Sequence, residues 1–169
     1  MKFLEKDLEN IIWESDKEEL AERGLIIYGK LFRQLKIGNY GIADLVAINR
    51  GVEGFKNALN INVIELKKDS IGISAFLQAV KYVKGIDSYL KFRKFSHPYF
   101  FNITLIGSQI DTSGSFCFIQ DLFSSYLNEG KVNEINFFTY DYKVSGIYFN
   151  DETGYDLTYK GFEIGGKNE

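Results

Sequence analysis

Leu4, Leu8, Ile11 and Ile12 recur at helical spacing and predict an amphipathic helix at the start of the chain. Ser15-Asp16-Lys17-Glu18 then has the form of a capping box, and Gly24 follows Leu20 as a helix stop. Beyond it the pattern turns to short apolar runs. Residues 25–28, 42–48 and 61–67 read as three strands, divided by an Asn39-Tyr40-Gly41 turn and by an irregular connection that begins at Asn49-Arg50-Gly51. Their spacing suits an antiparallel pair or a short meander. Residues 73 to about 91 give the clearest helix: Phe76, Leu77, Val80, Val83 and Asp87 share one side, with Gln78, Tyr82 and Tyr89 nearly opposite.

After the His97-Pro98 break, residues 101–110 are apolar on both faces, which predicts a central strand. Asp111-Thr112-Ser113-Gly114 leads into a helix ending near Asn128, and residues 135–142 and 146–150 read as strands. Asp151-Glu152-Thr153-Gly154 is a turn into a short edge strand. No repeat, low-complexity stretch or linker interrupts the pattern. Residues 1–169 are therefore expected to form one α/β domain.

Composition narrows the function. Hydrophobic residues make up 45% and charged residues 25%, the balance of a soluble globule. No apolar run approaches the ~20 residues that span a bilayer, so no membrane partner is expected. Acids stand near the N-terminus where a signal peptide would be apolar, and a cytoplasmic location follows as the expectation. Cys117 is the only cysteine and His97 the only histidine, which excludes a disulfide and a zinc centre built from several His or Cys ligands. His97 precedes Pro98 in a turn and reads as a surface or capping residue. Any metal here would be a hard cation held by carboxylates.

The net charge of −3 argues against a polyanion binder that works by bulk charge. Basic residues nonetheless cluster at Lys30, Arg33 and Lys36, and again at Lys81, Lys84, Lys91, Arg93 and Lys94. Each cluster alone reads as a solvated face. Tyr140, Tyr142, Tyr148, Tyr155 and Tyr159 crowd the C-terminal strands; such residues usually half-fill a sheet surface, although exposed ones can stack on unpaired bases.

The chemistry concentrates in two apolar strands that carry charge. Gly41-Ile42-Ala43-Asp44-Leu45-Val46 and Val63-Ile64-Glu65-Leu66-Lys67 place two carboxylates and an ammonium where burial is costly unless they are paired or hold a metal. Glu65 and Lys67, two residues apart on a strand, share a face. Asp44 stands just after Gly41, where a turn can lift its carboxylate to the sheet's rim. If the two strands are neighbours, Asp44 and Glu65 can share Mg²⁺ or Mn²⁺, helped by the main-chain carbonyl of Leu66. Such a site suits phosphodiester hydrolysis, with Lys67 orienting the water, taking its proton if its pKa is depressed, or stabilising developing charge. Glu129-Gly130-Lys131 repeats the Glu-x-Lys tripeptide without apolar flanks, so context and not the tripeptide carries the signal.

Together these residues resemble the PD-(D/E)xK nuclease superfamily, and Gln78-x-x-x-Tyr82 matches the helix motif of its RecB-like branch. The likeness is closest to the NucS-type and Shedu-type nuclease domains, whose order of opening helix, Gly-x-x-Asp-Leu, Val-x-Glu-Leu-Lys and Gln-x-x-x-Tyr recurs here. Leu105-Ile106-Gly107 is similar to a later strand of those families. The proline that often precedes the metal aspartate is Ala43 here, and the separate DNA-binding or oligomerisation domains of those families have no counterpart, which leaves the substrate open. The strong motifs cover roughly residues 1–90.

The resemblance implies a restriction-endonuclease-like fold, a central mixed β-sheet flanked by helices, and a Mg²⁺- or Mn²⁺-dependent deoxyribonuclease acting in repair, recombination or phage–host conflict. It implies a glutamate from the opening helix in the site, Glu5 or, one turn on, Glu9. It assigns Gln78 and Tyr82 to hydrogen bonding around the metal-bound water or a substrate phosphate, and Lys81 and Lys84 to DNA backbone contacts. A lone domain of this size with exposed aromatics is also a candidate homodimer. The rival reading is an inactive nuclease fold serving as a nucleic-acid or protein-binding platform. RNA cleavage stays open as well.

Overall fold

The computed structural model describes residues 3–52, 55–111, 116 and 131–153. Helix α1 (Glu5–Glu14) begins where the Asp7 carboxylate accepts the Leu4 amide at 2.7 Å, and it buries Leu8 and Ile12. Helix α2 (Lys17–Glu22) is capped by Asp16, which accepts the Glu19 amide, so the cap sits one residue later than the Ser15 of the expected capping box. Gly24 ends it in the left-handed region, at φ +95°.

Residues 25–28 are not a strand. Leu25 and Ile27 are buried and Ile26 and Tyr28 exposed, an alternation that mimics a strand in a segment with no ladder. The first strand is β1 (Lys30–Lys36), followed by a 3₁₀ turn (Gly38–Tyr40), β2 (Ile42–Val52) and β3 (Phe55–Leu66). Asn49-Arg50-Gly51 lies inside β2 and not in an irregular connection; the strand absorbs it with a register shift between Arg50 and Val52. The meander is antiparallel, as the spacing suggested.

Strand β4 (Ser70–Ile71) leads into α3 (Ile73–Phe92), then β5 (Tyr99–Gly107), β6 (Gln109–Ile110), β7 (Val132–Lys143) and β8 (Gly146–Asp151). The apolar run expected over 101–110 thus divides at Ser108. The main sheet is mixed, in the order β1-β2-β3-β5-β7-β8, with β3, β5 and β7 parallel and the outer pairs antiparallel. Strand β5 is central: Phe101, Ile103 and Leu105 face α3, while Ile106 faces α1. The architecture is therefore α/β, a six-stranded mixed sheet with α3 on one face and α1 and α2 on the other. Among the described residues no helix is long and apolar enough to cross a membrane. The helix expected before Asn128, Cys117, and the strand expected after Thr153 lie outside the described residues.

Helix α3 is turned from its expected orientation. It buries Ala75, Phe76, Ala79, Tyr82, Val83 and Asp87, and Leu77 is exposed. The buried centre is rotated by roughly 70° from the stripe that sequence periodicity picks out. Ala75 and Ala79 let the helix lie close on the sheet, and Tyr82 comes in beside them, 3% exposed.

Candidate active site

The site lies where β3 ends and α3 begins. The antiparallel register pairs Leu45 with Ile64, so Asp44 and Glu65 come next along their strands, side by side. Asp44 Oδ2 accepts the Leu66 amide at 3.1 Å, which continues the ladder through a side chain. Glu65 is 1% exposed, and its Oε1 accepts from Lys67 Nζ at 2.8 Å. The other oxygen, Oε2, is buried with no hydrogen-bond partner among the described residues.

These surroundings act on all three groups. Burial raises the Asp44 carboxyl above its ordinary value, opposed by the Leu66 amide. Burial, then the neighbouring Asp44 charge, pushes Glu65 up to about 7 despite Lys67. Burial would lower Lys67, but its bond to Glu65 and the nearby acids outweigh it, and its pKa goes up. Lys67 is thus held as an ammonium. It is built to orient a ligand or stabilise charge, and is poorly placed to take a proton in this state.

Glu5 reaches the rim of this group. Its Oε2 accepts the Lys68 amide at 3.4 Å, and its charge bears on Asp44, Glu65 and Lys67. Glu9 also acts electrostatically on Asp44, but its carboxylate is engaged elsewhere. It is buried under Arg33 and Gln34, which donate to its two oxygens. Of the two glutamates that sequence reasoning left open, Glu5 is the one free to face the site. Beside it opens a cleft of about 400 Å³ whose walls include Glu5, Lys67, Lys68, Ser74 and Asp111.

Gln78 Nε2 donates to Tyr82 Oη at 2.9 Å, so this pair is joined. Tyr82 lies inside the protein and not on an outer face: burial raises its pKa, and Glu65, Asp44 and Lys67 all act on it. The close approach depends on Gly41, at φ +116°, where a Cβ would lie 3.2 Å from Tyr82 Cε1 and 3.7 Å from Lys81 Nζ. Lys81 therefore borders the Asp44 strand, its Nζ 5.2 Å from the Tyr82 ring centroid. Lys84, one turn on, is exposed.

Three neighbours escaped sequence reasoning. Arg33 was grouped with Lys30 and Lys36 as a solvated face, but it turns inward to Glu9 and Asn10. Gln34 faces the Asp44 position across the β1–β2 ladder and takes φ +50°, costly for a residue with a Cβ. Tyr140 Oη donates to the Lys68 carbonyl at 2.6 Å, tying β7 to the segment after Lys67. Only the sheet order, in which β7 follows β5, brings that tyrosine near.

Among the described residues no three acidic, histidine or cysteine side chains lie close enough to make a finished metal cage. Asp44 and Glu65 nevertheless suit a hard cation. They are adjacent carboxylates, both raised by burial, and one buried oxygen lacks a partner. Comparison with known proteins returned nothing: no protein-family model, no curated protein and no solved structure matches this chain.

Proposed function

We propose that this chain is a Mg²⁺- or Mn²⁺-dependent deoxyribonuclease with the restriction-endonuclease-like fold of the PD-(D/E)xK superfamily. The observation that carries the reading is the buried Glu65 Oε2, without a partner among the described residues, beside Asp44, with Lys67 held as an ammonium just past the end of β3. Buried like charges without compensation are destabilising, and a divalent cation is the simplest group that removes the cost. Asp44 and Glu65 would hold it, with Glu5 completing the set directly or through water and the Leu66 carbonyl alongside. When bound, the cation polarises a phosphoryl oxygen and acidifies a water.

The protein's own groups supply the rest. Lys67 orients the attacking water and offsets the negative charge that develops on phosphorus-bound oxygens. The Gln78–Tyr82 pair is anchored by the buried tyrosine against the Gly41 turn, and the half-buried Gln78 amide is the end that can meet a metal-bound water or a substrate phosphate. Lys81 and Lys84 contact the DNA backbone, which sets position without sequence preference. Repair, recombination or phage–host conflict is the setting that the superfamily resemblance suggests.

The test is cleavage of linear duplex, single-stranded circular and branched DNA with Mg²⁺ or Mn²⁺. Cutting that needs the cation and disappears in both Asp44→Ala and Lys67→Ala is the expected result. Absence of cutting on every substrate, with DNA or a protein partner still bound, would favour the binding-platform reading.

A further inference from the structure

A cluster of aromatic rings stands beside the site and has no role in the chemistry above. Phe3, just ahead of α1, packs on Tyr142 with ring centroids 4.6 Å apart and planes at 84°, and on Tyr140 at 5.9 Å. Tyr140 and Tyr142 meet edge to face at 6.1 Å. These contacts fix the Tyr142 ring from two sides, yet Tyr142 stays 54% exposed. A large ring held rigid and kept in solvent is not explained by core packing.

The location is equally informative. Strands β3, β5 and β7 run parallel, so their C-terminal ends share one edge of the sheet. Tyr140 Oη holds the Lys68 carbonyl at 2.6 Å, and the Lys68 amide holds Glu5. The ledge is thus joined through one residue to the rim of the acidic pair. Glu65, Leu105 and Phe137 are level in the register, so Tyr142 lies two strands across and five residues further along, on the α1 face of the sheet, roughly 20 Å from Glu65 and within reach of a few nucleotides of extended strand.

We propose that the Phe3–Tyr140–Tyr142 ledge stacks an unpaired base, so that the substrate is DNA with single-stranded character near the cut. This rests on the nuclease reading above and names its substrate class. Base–aromatic stacking is sequence-tolerant, since every base offers a π-face, whereas bases paired within a duplex cannot reach the ledge without leaving their stack.

The experiment is metal-free binding by the full chain in EDTA, so that nothing is cut. Single strands and the matching duplex carry the fluorescent base 2-aminopurine at successive positions. The expected result is quenching at one or two positions of the single strand and not in the duplex. Tyr142→Leu, which keeps apolar bulk, should lose the quenching and bind single strand about tenfold more weakly. Tyr142→Phe should retain both. No quenching in wild type, equal weakening on duplex and single strand by Tyr142→Leu, or failure of Tyr142→Phe to retain binding would each overturn the ledge. Metal-dependent cutting without quenching would sink the ledge and leave the nuclease standing; quenching without cutting of any DNA would do the reverse.

Discussion

Two acid–lysine clusters occupy opposite ends of the sheet, and their carboxylates are pushed in opposite directions. At the start of β5, Asp87 is 8% exposed and receives Tyr99 Oη at 2.7 Å, Lys91 Nζ at 2.8 Å and Lys131 Nζ at 3.1 Å. Burial raises its pKa, but these three donors outweigh burial and hold it at about 2. At the end of β3, Glu65 is more deeply buried, has one lysine, an adjacent aspartate and an oxygen with no partner among the described residues, and it sits at about 7. Deeper burial and poorer hydrogen-bond satisfaction act together to separate Glu65 from Asp87. The Asp87 cluster is complete and reads as a tie between α3, β5 and the segment entering β7. The Glu65 cluster is incomplete, which is the signature of a group waiting for a partner.

The contrast breaks most sharply on activity. Lys67→Ala and Asp44→Ala should each lower DNA cleavage by at least two to three orders of magnitude. Asp87→Asn should leave the rate near that of wild type once unfolding is accounted for. Single-turnover cleavage at saturating enzyme reads both, and a comparable loss of chemistry in Asp87→Asn would erase the distinction.

Stability should split the other way. Asp87→Ala strands Tyr99 and two lysines and should cost about 1–3 kcal/mol in urea unfolding. Glu65→Gln removes a buried charge and should raise the stability of the metal-free protein while abolishing cleavage, a trade expected where a site is strained for function. A Glu65→Gln protein less stable than wild type without metal would mean that the carboxylate is already satisfied.

The pH dependence follows from the same two groups, with opposite signs. Asp87 is lowered from 3.8 to about 2, so its contribution is present above the unfolded value and is lost as pH falls through 2. Glu65 is raised from 4.5 to about 7, so its contribution is present below the unfolded value and is lost as pH rises through 7. Urea melts without metal should therefore show an acid limb that flattens in Asp87→Asn and a neutral limb that flattens in Glu65→Gln. The smallest effect belongs to Gly41→Ala. Its Cβ meets Tyr82 in a backbone region that disfavours side chains, so it should cost about 1–2 kcal/mol and slow cleavage by displacing Tyr82 from Asp44.

Much of this site was legible because the signals were local. Charge within the apolar strands around Asp44 and Glu65 marks them without reference to anything distant, and Gly41 announces the turn before Asp44. The parts that were hidden depend on contacts across the fold. Strand β1 escaped because its residues are polar and half-exposed and Gln34 interrupts it in a left-handed conformation, while residues 25–28 alternate like a strand but pack as coil. Tyr82 appeared to face away from the core because periodicity gives a stripe, not the edge of the stripe that the sheet covers; Ala75 and Ala79, small enough for close approach, were the clue. The Asp87 cluster combines residues from α3, β5 and the segment before β7, and no spacing in the chain foretells it.

Calorimetric titration of Mn²⁺ into metal-free wild type, Glu65→Gln and Asp87→Asn compares the two clusters most directly. The account predicts binding by wild type, the same binding by Asp87→Asn, and affinity reduced by at least about tenfold in Glu65→Gln. Wild-type protein that binds no Mn²⁺, or Glu65→Gln that binds it equally well, would contradict the claim that the unsatisfied pair is a metal site.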